Sequence, residues 1–348
     1  MSTDATSPTD STLPAGTGTA TARAYPNLAL VKYWGKRDEE LILPVAGSLS
    51  LTLDAFATTT TVQLDPEAEQ DRFELNGHLA TGIARDRVTT FLDLVRSRAG
   101  SQSRAIVRSV NEAPTGAGLA SSAAGFAALA TAASTAYGLE LDTPELTRLA
   151  RRGSGSAARS IIGNVALWHA GTDDESSFAE ETPAPELAMV IATVDSSTKA
   201  VSSREAMRRT ARTSPYFVAW ITSTETTLTE MVAACRTGDF TRIGEITESH
   251  ALRMHALIAS TEPPIRYLRP ASIEILDAVA ALREAGVEAY STADAGPNVA
   301  VLTRPADAER VALRLGEIVG TDRIRVVGPG PGADLVADPV APAGEAGS

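Results

Sequence analysis

Lysine is nearly absent from this chain: of 31 basic residues only Lys32, Lys36 and Lys199 are lysine, and two of these lie in one short segment, YPNLALVKYWGKRD, Tyr25 to Asp38. An ammonium is a compact point charge with rotatable donors, and arginine does not replace it freely where that geometry matters. Lys32, Lys36 and Arg37 gather positive charge in a chain whose acids outnumber its bases 43 to 31, for a formal net charge of −12. A local basic cluster in an acidic protein is a candidate anion site. The alternative is an amphipathic strand whose cations snorkel past Tyr33 and Trp34.

Three further segments carry chemistry-bearing residues. Pro114 to Gly125 (PTGAGLASSAAG) is a Gly-rich loop leading into an alanine-rich run. A helix N-terminus after such a loop offers unpaired N–H groups and the positive end of the helix dipole to an anion, and Ser121 and Ser122 add hydroxyls. The spacing matches neither the Walker A nor the dinucleotide-binding template, and tight helix packing is the competing explanation. Arg151 to Ser160 (RRGSGSAARS) combines close-approach glycines, hydroxyl donors in Ser154 and Ser156, and arginines able to clamp an anion; a flexible linker or helix C-cap with solvated arginines is the competing explanation. Asp294, in Thr292 to Asn298 (TADAGPN), is either a turn residue or a carboxylate at a strand end, available as a base.

The elements that must position these groups read as α+β. Leu49 to Leu53 alternates like an antiparallel strand, and the β-branched Thr58 to Leu64 predicts another. Phe73 to Leu75 runs into the hairpin-type turn Asn76-Gly77, and Arg85 to Arg98 carries the apolar stripe of a helix. Further strands are predicted at Arg104 to Val110, Leu187 to Asp195, Ala289 to Thr292, Val299 to Leu302 and Ile324 to Val327. Helices are predicted from the alanine-rich run to Gly138, from Asp142-Thr143-Pro144, through Ser203 to Leu257, and over Ile273 to Ala285. The expected division is a tail at 1–20, an N-terminal domain at 21–200, a C-terminal domain at 201–337 and a tail at 338–348.

Composition narrows the functions. A 348-residue chain with 43% hydrophobic and 21% charged residues can build a sizeable core. The negative balance argues against a general nucleic-acid binder. No apolar run reaches the roughly 18 residues of a membrane span, and the first twenty residues lack the pattern of a secretory signal; a cytoplasmic protein is expected. Cys235 is the single cysteine, and four histidines leave little for a metal centre. His250 and His255 are five apart rather than at the i, i+4 spacing of a helical metal pair, so neither is read as a ligand. The run Val327 to Ala333 (VGPGPGA) is read as a terminal turn.

Together the strings PNLALVKYWGKRD, SLSLTL, PTGAGLASSAAGFAAL, RLARRGSGSAARS, VSSREAM and DAGPNV, in this order between residues 26 and 299, resemble the diphosphomevalonate decarboxylases of the GHMP kinase superfamily. The resemblance implies a GHMP kinase fold with an N-terminal ribosomal-protein-S5-like region and a C-terminal ferredoxin-like region sharing a deep cleft. It implies MgATP-dependent phosphorylation of a tertiary 3-hydroxyl, then loss of phosphate and CO2. The expected partners are ATP, Mg2+ and (R)-5-diphosphomevalonate, and a homodimer is expected. By the same resemblance Pro114, Gly116, Gly118, Ala120, Ser121 and Ser122 would cradle the ATP phosphates. Tyr33, Lys36, Arg87, Ser154, Ser156, Arg159, Ser202 and Ser203 would bind the substrate's diphosphate or carboxylate, and Asp294 and Lys32 would be catalytic. No side chain is assigned as a metal ligand.

The chain departs from the family pattern at Ala46-Gly47, at Ala158 where a cysteine is often seen, and at Asn164 where glycine is common. A decarboxylase or 3-kinase acting on 5-phosphomevalonate or mevalonate is the neighbouring expectation. A catalytically silent GHMP-type sensor is the rival from another class.

Overall fold

Ser48–Thr52 shows how the sequence builds the site. Its alternation places Leu49 and Leu51 on one face and Ser48, Ser50 and Thr52 on the other, yet all five side chains are buried. An apolar face satisfies one side; the hydroxyl face requires polar partners. In the computed structural model, which describes residues 18–112, 121–197, 200–337 and 339–340, both requirements are met.

The strand lies in a four-stranded sheet ordered Ala179–Glu181, Val165–Trp168, Ser48–Thr52, Asn27–Val31. Leu49 and Leu51 join Leu28, Leu30, Met189, Ile191, Met231, Phe240, Ile243 and Leu302 in a core between this sheet and the C-terminal half. The opposite face receives the short helix Ala157–Ser160, and Thr52 Oγ1 donates to the Ile162 carbonyl at 2.7 Å.

A six-stranded sheet runs Asp334–Leu335, Thr19–Ala24, Thr58–Asp65, Arg104–Asn111, Arg72–Leu75, His78–Leu79. Its apolar face packs against Gly82–Ala99 and Ser121–Ala136. Ala123, Ala124, Ala127, Ala128, Ala130, Ala132, Ala133 and Ala136 are all buried, as expected of a helix apolar on all sides. Asp142 caps Thr143–Gly153 in a reciprocal capping box with Glu145.

The antiparallel sheet of the C-terminal half is ordered Ala289–Thr292, Val299–Thr303, Ala188–Ala192, Ile324–Val327. Alternation again divides its strands. Val190, Val299 and Val301 meet helices Pro270–Glu284 and Ala308–Val319, while Met189, Ile191 and Leu302 face the central core. Helices Ser203–Thr213, Phe217–Thr237 and Phe240–Ala259 fill the long helical region.

Three boundaries shift, the first because strand Thr19–Ala24 begins inside the tail expected at 1–20. Ala188–Ala192 pairs with Val299–Thr303 and Ile324–Val327, so a division at residue 200 cuts a strand from its own sheet. The chain also returns: Gly330 N–H donates to the Thr52 carbonyl at 2.8 Å and Asp334–Leu335 pairs with Thr19–Ala24. Residues 328–336 therefore close the N-terminal half rather than end the C-terminal one. A Cβ on Gly330 would stand 2.0 Å from the Leu53 carbonyl oxygen, which explains the glycines of VGPGPGA as close backbone approach. Asn164 has φ +52°, a left-handed conformation that glycine and asparagine tolerate, which accounts for asparagine at that departure.

Candidate active site

Lys32 follows directly on strand Asn27–Val31 and is only 1% exposed. Its ammonium donates to the Ala29 carbonyl at 2.8 Å and to Asp294 Oδ1 at 2.7 Å. Burial pushes its pKa below the ordinary lysine value, and the Asp294 carboxylate pulls the other way. Asp294 sits in the loop between strands Ala289–Thr292 and Val299–Thr303, with 34% of its side chain exposed. The carboxylate is thus tied to a buried cation while about a third of its side chain reaches solvent. The loop is held firmly: Asn298 Oδ1 accepts from Val194 N–H at 2.8 Å and Asp195 N–H at 3.0 Å, and Ser272 Oγ donates to the Pro297 carbonyl at 2.5 Å.

Arg159 supplies the second buried cation. Its Nε donates to Ser50 Oγ at 2.9 Å, Nη1 to Ser48 Oγ at 2.6 Å and Nη2 to Asn27 Oδ1 at 3.0 Å. Asn27 is fixed in turn by its Nδ2 bonds to the Ser156 carbonyl at 2.9 Å and Ser160 Oγ at 2.7 Å. Burial lowers the Arg159 pKa to about 10, and the nearby Asp294 opposes that shift. It remains cationic at neutral pH. This is the partner that the hydroxyl face of Ser48–Thr52 required.

Tyr33 packs edge-on against Trp168 at 4.8 Å, and its buried hydroxyl has no hydrogen-bond partner among the described residues. Burial raises its pKa. A Cβ at Gly155 would lie 2.8 Å from that hydroxyl, so the glycine of GSGS makes room for the ring. The neighbouring Trp34 anchors the segment through Nε1 to Thr210 Oγ1 at 3.1 Å, while its carbonyl accepts from Trp220 Nε1 at 2.9 Å.

Farther out the cations are paired differently. Lys36 donates to Glu39 Oε2 at 2.9 Å, and Arg208 reaches the same oxygen at 3.1 Å. Arg87 lies over the Phe126 ring at 4.7 Å and donates to the Gly153 carbonyl at 3.0 Å. Burial lowers its pKa to about 10, and Arg204 adds to the effect. Arg204 also bears on Lys36 and Tyr33.

The structure therefore brings Lys32, Asp294, Tyr33 and Arg159 together, with Lys36 and Arg87 in a neighbouring basic group. Ser154 lies 3.4 Å, hydroxyl to hydroxyl, from Ser122 at the start of Ser121–Ala136. Ser156 contributes its carbonyl to Asn27. Ser202 caps its own helix, accepting from Glu205 N–H at 3.2 Å, and Ser203 opens that helix. Pro114, Gly116, Gly118 and Ala120 lie outside the described residues, as does the side chain of Ser121. Residue-by-residue reading misses Asn27, Ser48 and Ser50 as the mount of Arg159, and Arg204 in the basic group. The serines standing opposite leucines in SLSLTL were the available signal for the first, and the arginine of VSSREAM for the second.

Residues 24–179 match the model of the diphosphomevalonate decarboxylase-like N-terminal domain, and residues 189–325 that of the mevalonate 5-diphosphate decarboxylase C-terminal domain. The chain belongs to the diphosphomevalonate decarboxylase family. It is 38% identical over 311 residues to the diphosphomevalonate decarboxylase of Ganoderma lucidum, covering 82% of this chain and 78% of that one. The human diphosphomevalonate decarboxylase is 37% identical over 308 residues, 81% of this chain and 76% of its own. Mevalonate diphosphate decarboxylase from Staphylococcus aureus superposes with a TM-score of 0.89 at 39% identity, over 92% of this chain and 98% of that one. A structure of MDDEF in complex with MVAPP, AMPPCP and magnesium superposes with a TM-score of 0.88 at 45% identity, over 92% and 99%. The architecture is accordingly the GHMP kinase fold of this family.

Proposed function

We propose that this chain catalyses the ATP-dependent decarboxylation of (R)-5-diphosphomevalonate to isopentenyl diphosphate, ADP, phosphate and CO2, as a carbon–carbon lyase. The observation that carries the reading is the 2.7 Å pairing of buried Lys32 with part-exposed Asp294, beside Arg159 mounted on Asn27, Ser48 and Ser50, in a chain that belongs to the decarboxylase family.

Asp294 is the proposed acceptor of the 3-hydroxyl proton, since its carboxylate is part exposed and oriented by Lys32. Lys32, desolvated and close, keeps that carboxylate in place and adds positive charge near the phosphoryl group being transferred. Arg159 offers charge-assisted bonds to the substrate's anionic groups from a guanidinium whose position is set before binding. Tyr33, Lys36, Arg87, Ser154, Ser156, Ser202 and Ser203, with Arg204, complete the proposed substrate site.

The first turn of Ser121–Ala136 carries no acidic residue, and Ser122 is exposed there, which fits a polyphosphate at the helix N-terminus. ATP phosphates would be held by Pro114, Gly116, Gly118, Ala120, Ser121 and Ser122; Mg2+ would neutralise phosphate charge. No helix among the described residues is long and apolar enough to cross a membrane. The family reading supports a cytoplasmic homodimer, which sedimentation would check.

One assay tests the function: ATP consumption and CO2 release with the diphosphate, monophosphate and unphosphorylated mevalonates. Turnover with CO2 release, strongest for the diphosphate, is expected. Equal or better kcat/KM with 5-phosphomevalonate moves the protein to a monophosphate decarboxylase. ATP consumption without CO2 makes it a 3-kinase, and binding without turnover makes it a sensor.

A further inference from the structure

Two histidines on helix Phe240–Ala259 reach opposite members of the Lys32–Asp294 pair. His250 is fully buried, and its Nδ1 accepts the Lys32 backbone N–H at 3.0 Å. Its Nε2 lies 3.2 Å from Thr224 Oγ1, whose own proton goes to the Trp220 carbonyl at 2.7 Å. Nε2 therefore carries the imidazole proton. His255 Nε2 lies 3.3 Å from the carbonyl of Ala293, the residue before Asp294. A carbonyl only accepts, so this nitrogen is also protonated. Five helical positions correspond to about 140° around the axis, so the two rings address two sides of the helix. Burial keeps both neutral, with pKa values pushed down to about 3 for His250 and about 4 for His255.

We propose that His250 and His255 are positioning residues, and that helix Phe240–Ala259 is the spacer that sets the Lys32–Asp294 distance. Its consequence for turnover rests on the decarboxylase reading; its consequence for geometry does not. The test exploits side-chain length: an asparagine amide places its polar atoms near the Nδ1 position of histidine, and a glutamine amide near Nε2. His250→Asn keeps an acceptor for Lys32 N–H, whereas His250→Gln loses it. His255→Gln keeps a donor for Ala293, whereas His255→Asn loses it. The expected pattern is therefore crossed. His250→Gln and His255→Asn lower kcat about tenfold or more with KM for ATP unchanged, while His250→Asn and His255→Gln stay close to wild type. Thr224→Val, which removes only the outer partner of His250, lowers Tm and leaves kcat intact. Equal kcat for Asn and Gln at either position, or a kcat loss in Thr224→Val matching that of His250→Gln, overturns the proposal. Crystal structures of the same variants decide it without any turnover. A Lys32–Asp294 separation beyond about 3.5 Å in His250→Gln and His255→Asn supports the spacer, and an unchanged separation overturns it whatever the substrate proves to be.

Discussion

The inner cations and the outer ones of this site are held in opposite ways. Arg159 is fixed by Asn27, Ser48 and Ser50, and Lys32 by Ala29 and Asp294, all with the cation buried. The Lys36 side chain is buried as well, but its partner is not: Lys36 and Arg208 share one carboxylate, Glu39, whose side chain is 47% exposed. Inside, the desolvation of charge accompanies folding, and a ligand meets donors that need no rearrangement. Outside, the half-exposed Glu39 occupies the cations, so an arriving anion would have to compete with it. The difference teaches that net positive charge alone does not define the site; what matters is which cations are mounted and which are merely paired.

The largest expected effect comes from breaking the inner region at its centre. Asp294→Asn preserves size and removes the charge that Lys32 holds, so turnover should fall at least about 100-fold, with the far-UV spectrum and Tm close to wild type. Near-normal turnover would remove Asp294 from the reaction. Arg159→Lys comes next. It retains a charge but not the fork that spans Ser48, Ser50 and Asn27, and a lost charge-assisted bond is worth about 1.5–3 kcal/mol. A fall in kcat/KM of about 10- to 150-fold is expected. The reverse exchange at a merely paired cation would do far less, so equal losses for Arg159→Lys and Lys36→Arg would dissolve the contrast.

Acid should also find the inner region first. His250 and His255 are neutral in the fold down to about pH 3 and 4, whereas in the unfolded chain they take up protons near 6.5. Between those limits the unfolded state binds more protons, so stability falls as pH falls. Each histidine contributes a slope approaching about 1.4 kcal/mol per pH unit. Urea unfolding from pH 7 to 4.5 should show it, and His250→Asn should remove about half of the histidine contribution. A slope unaltered by that change would mean that His250 already titrates normally in the folded protein.

Much of this was legible beforehand, for identifiable reasons. Period-2 alternation marks Ser48–Thr52, β-branched threonines mark Thr58–Asp65, and Asp142-Thr143-Pro144 announces its helix, because each signal is local. Lys32, Asp294 and Arg159 stood out by residue type within distinctive strings. What stayed hidden depends on contacts between distant positions. Asn27 meets Arg159 across 132 residues, and His250 meets Lys32 across 218. His250 carries no metal-ligand spacing, and its role exists only once helix Phe240–Ala259 packs behind strand Asn27–Val31. The return of residues 328–336 is likewise set by tertiary packing, since prolines and glycines in sequence mark a turn without saying what it touches.

The smallest predicted effect is the one most particular to the outer cations, and its sign is what counts. Glu39 accepts from Lys36 and Arg208, so in the resting protein it competes with any anion for both. Glu39→Gln keeps a hydrogen-bonding side chain but removes the charge. Glu39 is half exposed although the Lys36 side chain is buried, and a pair open to solvent on one side is worth about 1 kcal/mol, so KM for the diphosphate substrate should fall by about fivefold, with kcat nearly unchanged. Lys36→Ala should move KM the other way, and the two changes should not add, because each removes one half of the same pair. The double variant should resemble Lys36→Ala alone apart from what Arg208 contributes. A raised KM in Glu39→Gln would show that the acid holds Lys36 in its working position, and the outer cations would then be mounted after all, as Arg159 is.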